Sequence, residues 1–355
     1  MKTSILLFLF SVLISFSVLA QETENWMQWR GPLNNGVALK GNPPVEFSET
    51  KNLKWKTEIP GKGHATPLVW EDKIIVLTAV ETDEVVEKEE PEGKEGEGRR
   101  RMRGVSTNIV HDFKVILVNR NNGNIIWEKT VAKELPQEST HNLGSWASNS
   151  PCTDGDFIYA YFGSRGLFCL DFEGNIIWER DFGQMEKHMS FGEGASPYLY
   201  KDRIFVLWDH EGDSYLYAID KKTGKDVWKL ERDERTSWSS PFVVEANGKT
   251  QVITSATTNI RSNDYETGEL LWTSTGLTRN VIPVPVVEDN IVYVMSGFRG
   301  AAMQAIDLNK AKGDITETDA IVWKYDVETP YTPNPVLMDG KLYFLRVNNG
   351  YISCL

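Results

Sequence analysis

Ala218-Ile219-Asp220-Lys221-Lys222-Thr223-Gly224-Lys225-Asp226-Val227-Trp228 is the stretch whose reading decides the fold. It predicts a strand, a tight turn and a second strand. Tyr217 and Ile219 alternate as a half-buried strand requires. Asp220 can accept hydrogen bonds from backbone N–H groups of the turn, and Gly224 can take the positive φ that such a turn needs. The same pattern recurs as Ser262, Asp264, Thr267, Gly268 and Trp272. It recurs more loosely as Leu117, Asn119, Gly123 and Trp127. A version one residue shorter runs Cys169, Asp171, Gly174, Trp178, and one split by an insertion runs Ala305, Asp307 and then Trp323. A unit repeated this often decides the architecture before any single residue does.

Each unit opens on a strand that starts around a proline: Pro67, Pro151, Pro197, Pro241, Pro285 and Pro335. A second strand follows an acidic turn, as in Asp202-Arg203-Ile204-Phe205-Val206-Leu207. The Pro-to-Pro spacings are 84, 46, 44, 44 and 50 residues. Residues 81–104, rich in Glu and Gly and ending in Arg99-Arg100-Arg101 and Arg103, form a low-complexity loop insertion that accounts for the long first interval. A smaller insertion, residues 309–319, splits the fifth unit. Four short antiparallel strands per unit predict an all-β fold, a β-propeller. Leu53 to Ile59 reads as the last strand of a further repeat, and the sixth unit stops at Leu355 after its third strand. Either the Trp55 strand closes a six-bladed ring, or more units follow. The second reading is preferred, with seven or eight blades expected in the complete protein.

The chain has 355 residues, a formal net charge of −12 and 25 % charged residues, as in soluble globular proteins. The acidic balance argues against a nucleic-acid partner, which calls for a basic footprint. Residues 1–20 read as a signal peptide: Lys2 is the positive start, Ile5 to Leu19 the apolar run, and Val18-Leu19-Ala20 the small-residue cleavage site. An exported protein, periplasmic or secreted, is expected, with no transmembrane anchor. Residues 21–52 form an N-terminal segment containing Trp26-Met27-Gln28-Trp29-Arg30-Gly31-Pro32, and the propeller is expected to span 53–355. Cys152, Cys169 and Cys354 are too few for a disulfide framework. Cys169 and Cys354 share the small buried slot of Ala218, Ser262 and Ala305, so core packing is expected of them.

The Ala-x-Asp-x-x-Thr-Gly-x-x-x-Trp pattern resembles the tryptophan-docking motif of quinoprotein propellers, the pyrroloquinoline-quinone (PQQ) repeat family. The resemblance implies that Trp228 and Trp272, and on looser matches Trp55, Trp127, Trp178 and Trp323, are sandwiched between blades. Trp26 to Pro32 also resembles the start of exported bacterial PQQ-like repeat proteins, with Met27 where those often carry Pro. Quinoprotein dehydrogenases of the family carry an adjacent Cys pair, an Asp base, and Glu and Asn ligands to calcium. No adjacent Cys pair occurs here, so no cofactor is expected, and PQQ with calcium is the alternative. The non-catalytic branch of the family includes the outer-membrane assembly factor BamB, a scaffold. This chain resembles it in repeat type and departs from it in lacking a lipobox Cys.

The loops leading into the first strands ring the mouth of such a propeller. They hold His64, His141, Trp146, His188, Trp238, Arg279, Asn280 and Tyr331, a set suited to a small ligand, a sugar or a partner's peptide. Trp146 and Trp238 can equally cap the blade tops, and no ligand spacing links the histidines, so no metal site is expected. Asp209-His210-Glu211, between strands two and three of the third unit, is read as a polar site on the opposite face or, more simply, as an exposed loop there. The preferred function is a non-catalytic binding or scaffold module for a protein or polysaccharide partner, acting as a monomer. The alternatives are a PQQ-dependent alcohol or sugar dehydrogenase and a carbohydrate-binding propeller.

Overall fold

Consecutive antiparallel sheets follow one another along the chain, and strands adjacent in sequence are adjacent in each sheet. The computed structural model describes residues 25–38, 40–87, 104–105, 107–346 and 350–355. The signal-peptide stretch and the arginines of the long insertion lie outside the described residues. Blade one contains Leu68–Trp70, Lys73–Val85, Ile109–Asn119 and Ile125–Glu134. Blade two contains Cys152–Thr153, Ile158–Tyr161, Leu167–Leu170 and Ile176–Arg180. Blade three contains Tyr198–Tyr200, Arg203–Trp208, Ser214–Asp220 and Asp226–Arg232. Blade four contains Phe242–Ala246, Lys249–Ser255, Ile260–Asp264 and Leu270–Ser274. Blade five contains Val286–Glu288, Ile291–Ser296, Ala302–Asp307 and Ile321–Tyr325. Blade six has Val336–Met338, Lys341–Leu345 and Ile352–Cys354. The fold is an all-β propeller, with no α-helix among the described residues.

The core lies between blades. One apolar cluster joins Leu68, Ile75 and Phe113 of blade one to Ile158, Phe168 and Leu170 of blade two. Further clusters join blades two and three, three and four, four and five, and five and six. A single sheet of this size could not bury both its faces, whereas stacking buries the shared ones.

The repeated turn does two jobs. In blade three Asp220 Oδ1 accepts from Lys222 N (3.1 Å), Thr223 N (2.8 Å) and Thr223 Oγ1 (2.8 Å). Gly224 sits at φ +70°, and a Cβ there would fall 2.6 Å from the ring of Trp178, which belongs to the preceding blade. The glycine is therefore required twice, by the turn and by the indole laid on it. The Trp178 Nε1–H donates to Lys221 O (3.0 Å) of the same turn. Trp55, Trp127 and Trp228 repeat the arrangement, donating to Arg120 O, Phe172 O and Tyr265 O. Within their own hairpins four strand-four tryptophans face the small-slot residue, Cys169↔Trp178, Ala218↔Trp228, Ser262↔Trp272 and Ala305↔Trp323, whereas Trp127 of blade one faces Leu117; a bulge adjoins each pair.

Around the axis a second set of contacts runs from blade to blade. Thr66 N donates to Ser150 Oγ (2.9 Å), Ser150 N to Ser196 Oγ (2.9 Å), and Ser196 N to Ser240 Oγ (2.8 Å). These residues each precede the proline that opens a blade. Val284 has no acceptor in its side chain and interrupts the series, which resumes as Val284 N to Asn334 Oδ1 (2.8 Å). The N-terminal segment crosses the same inner strands. Trp26 bridges to Val69 of blade one and Gln28 to Cys152 of blade two. Gln28 Oε1 accepts from Leu199 N of blade three (3.2 Å), and the Arg30 guanidinium bonds Pro335 O at the start of blade six. Arg30 also donates to Asn34 O and Asn35 O, and burial lowers its pKa to about 10.

Several expectations need correction. Leu53 to Ile59 forms no strand, because no neighbouring strand offers it a ladder; Trp55 instead rests on the Gly123 turn of blade one. The long insertion begins later than its composition suggested, since the second strand of blade one runs to Val85. Cys354, on Ile352–Cys354 paired with Lys341–Leu345, is exposed among the described residues and not in a buried slot.

Candidate functional site

In an antiparallel meander the end of the second strand returns to the level at which the first began. Loops between strands two and three therefore share a face with the loops leading into strand one. This overturns the placement of Asp209-His210-Glu211 on the opposite face. Glu211 N donates to Glu186 O (2.9 Å), and Glu186 N donates to His210 Nδ1 (3.1 Å). The loop is exposed from Glu211 to Asp213, but Asp209 and His210 are buried. Asp209 pairs with the buried Arg232 guanidinium (2.8 and 3.3 Å) and accepts from Ser237 Oγ (2.8 Å). Gly104–Val105, from the far end of the long insertion, reaches the same face and pairs with Thr140–His141.

The residues singled out in the mouth loops are distributed around this face. His141 packs edge-on against Phe191, with ring centroids 5.3 Å apart, and its Nδ1 accepts from Leu143 N (3.1 Å). Trp146 stacks edge-on with His111 and donates from Nε1 to Glu138 O (3.0 Å). Trp238 donates to Gly192 O (2.8 Å) and lies under the Lys187 ammonium, 5.4 Å from the ring centroid. His188 is exposed, with Nδ1 3.9 Å from Glu211 Oε1. Asn280 takes φ +57° and bonds Tyr331, whose ring packs on Phe298 at 5.0 Å. His64 and Arg279 are exposed. The set thus forms blade-to-blade contacts and does not converge on one centre.

Of the two more voluminous recesses on this face, one, of about 620 Å³, is lined by Gly61, Glu81, His111, His141 and Trp146. The other, of about 610 Å³, is walled by Gln137, Glu138, the 184–190 loop and Glu211. Glu138 anchors this second recess: its Oε2 accepts from Lys187 N (3.1 Å) and its backbone carbonyl accepts from Trp146. Burial, with a contribution from the Glu193 carboxylate, pushes the Glu138 carboxyl up to about 7. Lys187 is buried and turns its ammonium away, to Asp209 O (2.6 Å) and Ser237 O (2.9 Å). Glu138 and Lys187 were not singled out in the sequence, and Glu211 only as part of Asp209-His210-Glu211. Their only signal was the polar string Glu138-Ser139-Thr140-His141 and the misplaced Asp209-His210-Glu211.

The cysteines present do not form the adjacent pair that quinoprotein dehydrogenases carry. Cys152 and Cys169 flank Tyr159 within the core between blades two and three, where burial pushes the Cys169 thiol up to about 12 and that of Cys152 well above its ordinary value. They are packing groups and face no ligand. Among the described residues no group of three or more His, Cys, Asp or Glu is placed to hold a metal ion.

Comparison with known proteins supplies the remaining context. The profile of a family described as outer membrane protein assembly factor BamB matches residues 111–355. The chain is similar to BamB of Shewanella oneidensis, 24 % identical over 184 residues that cover 52 % of this chain and 42 % of that one. It is also similar to a tetrathionate hydrolase of Acidithiobacillus ferrooxidans, 24 % identical over 252 residues that cover 64 % of this chain and 45 % of that one. The chain therefore spans less than half the length of these relatives. Among solved structures, a quinohemoprotein alcohol dehydrogenase from Comamonas testosteroni superposes with a TM-score of 0.52 at 11 % identity, over 86 % of this chain and 49 % of that one. A europium-containing methanol dehydrogenase superposes with a TM-score of 0.50 at 10 % identity, over 96 % and 87 %. At these identities the likeness is one of fold.

Proposed function

We propose, from the premise that the chain belongs to the PQQ-repeat family described as outer membrane protein assembly factor BamB, that it is an exported binding module acting in the assembly of outer-membrane proteins. Its binding surface is the mouth face. The observation that carries this reading is the cross-linking of that face. Trp238, Lys187 and Asn280 bond to elements of other loops and Trp146 packs its ring on His111 of blade one, so the recesses between them are held in a fixed shape. A preformed surface loses little conformational entropy on association. The leader-like sequence of residues 1–20 supports export.

The test uses a photo-crosslinking residue placed at Asn142 or Leu143 on the mouth face, or at Lys222 on the turn at the opposite end of blade three. In the intact cell envelope, the two mouth positions are expected to capture an outer-membrane protein or a component that assembles one, with Lys222 silent. Capture from Lys222 alone would move the binding surface to the other face. A saturable absorbance change on titration with PQQ and Ca²⁺ would replace the reading with quinone-dependent oxidation. The indole N–H groups of Trp146 and Trp238 are already committed to backbone carbonyls, which gives a sugar-binding reading no specific support.

A further inference from the structure

The recess beside Glu138 has an unbalanced chemistry. Two buried acceptors of residues in its wall, Gln137 Oε1 and Glu138 Oε1, have no hydrogen-bond partner among the described residues. Buried polar atoms are rarely left so, because each forfeits the bonds it made to water. Glu186 and Glu211 add two more carboxyl groups to the lining, and His188 stands at the lip. The cation nearest to hand cannot answer them. The Lys187 ammonium is consumed on the far side by two carbonyls and the Trp238 ring, and Lys187 offers Glu138 only its backbone N–H. The Arg232 guanidinium is spent on Asp209, and that of Arg165 lies beside Glu134 and Glu193. At about 610 Å³ the recess is far larger than an ion or a water and accommodates an extended side chain with part of its backbone.

We propose that this recess is the seat of a guanidinium-bearing side chain, an arginine of the polypeptide that the mouth face binds. The inference rests on the binding reading above and names the group recognised. A guanidinium brings a planar fork of N–H donors and a positive charge, matching a carboxyl, an amide oxygen and a second carboxylate set around one space. An anionic ligand would face three carboxyl groups with the only buried ammonium turned away. The raised Glu138 carboxyl adds a pH dependence. Above about 7 it is charged and attracts the guanidinium; as pH falls through about 7 it takes up a proton and the attraction weakens. The groups facing Glu138 are Lys187, Glu193 and Arg165, and those facing the recess from other elements are Glu186, His188 and Glu211.

Agmatine, which carries a guanidinium and no carboxylate, is the probe. Calorimetry and the NMR signals of His188 should show saturable binding of agmatine to the full chain at pH 8, at least tenfold weaker at pH 5.5. Glu138→Gln and Glu211→Gln should each weaken it about tenfold, the loss of one charge-assisted contact. Glu211 lies at the exposed lip, so its variant answers the question even if Glu138→Gln fails to fold. Absence of agmatine binding at pH 8, or equal binding by both variants, overturns the proposal. Partner capture from Asn142 together with such a negative result would sink the arginine seat and leave the binding face standing. Agmatine binding without any partner capture would do the reverse.

Discussion

Trp228 and Trp272 close units that read alike, yet different parts of the molecule hold them. Trp228 reaches into blade four, where its Nε1–H bonds Tyr265 O (3.0 Å) and its ring lies over Gly268. Trp272 donates instead to Gln251 Oε1 of its own blade (3.1 Å). The turn that would receive it, after Asp307, carries the 309–319 insertion. Gly313–Asp314 from that insertion pairs in parallel with Trp272 and Thr273, and Leu308, Ile315 and Ala320 pack around the ring. Trp272 ends fully buried, while Trp228 keeps partial exposure. The difference teaches that the seat of each tryptophan is encoded one repeat downstream, so a full match within a unit does not define that residue's partner.

Replacing each tryptophan by alanine tests the comparison most severely. Trp272→Ala should cost about 4–5 kcal/mol in denaturant unfolding and Trp228→Ala about 3 kcal/mol, since the first leaves a sealed cavity and the second an open one. Equal losses would break the distinction. Gly268→Ala comes next. A Cβ there would lie 3.1 Å from the Trp228 ring at a residue with φ +78°, and a loss of about 2 kcal/mol is expected. Combined with Trp228→Ala, that loss should shrink, because the steric part disappears with the indole. Gln251→Leu is the smallest of these changes. It removes the acceptor of Trp272 Nε1 and of Ser262 Oγ (2.8 Å), for about 1–2 kcal/mol, and should leave the Trp228 environment unchanged by fluorescence.

The face that binds and the rim that packs were unequally legible. Asp220, Gly224 and Trp228 announce themselves because a turn and a strand are local, and repetition multiplies the signal. The serines before Pro151, Pro197 and Pro241 were equally visible as Ser-Pro pairs, but their hydrogen bonds run to residues 44–84 positions away, so their linkage around the axis had no local signature. Glu138, Lys187 and Glu211 were harder still. They come from the loop into blade two, the loop into blade three, and blade three itself, and only stacking brings them to one recess. His141, Trp146, His188 and Trp238 lie on the same face; the bonds of His141 and Trp146 stay within their own loop, and that of Trp238 joins two loops.

The sequence by itself determined the repeat, the strand order and the small residue opposite Trp178, Trp228, Trp272 and Trp323, because these follow from side-chain alternation and turn chemistry within some forty residues. Tertiary structure alone decided which turn each tryptophan clamps, that Gln28 and Arg30 lace the inner strands of blades three and six, and that three glutamates line one recess. Those outcomes depend on how blades rotate and stack about an axis. That geometry is set by the sum of many inter-blade contacts and is written in no single stretch of chain.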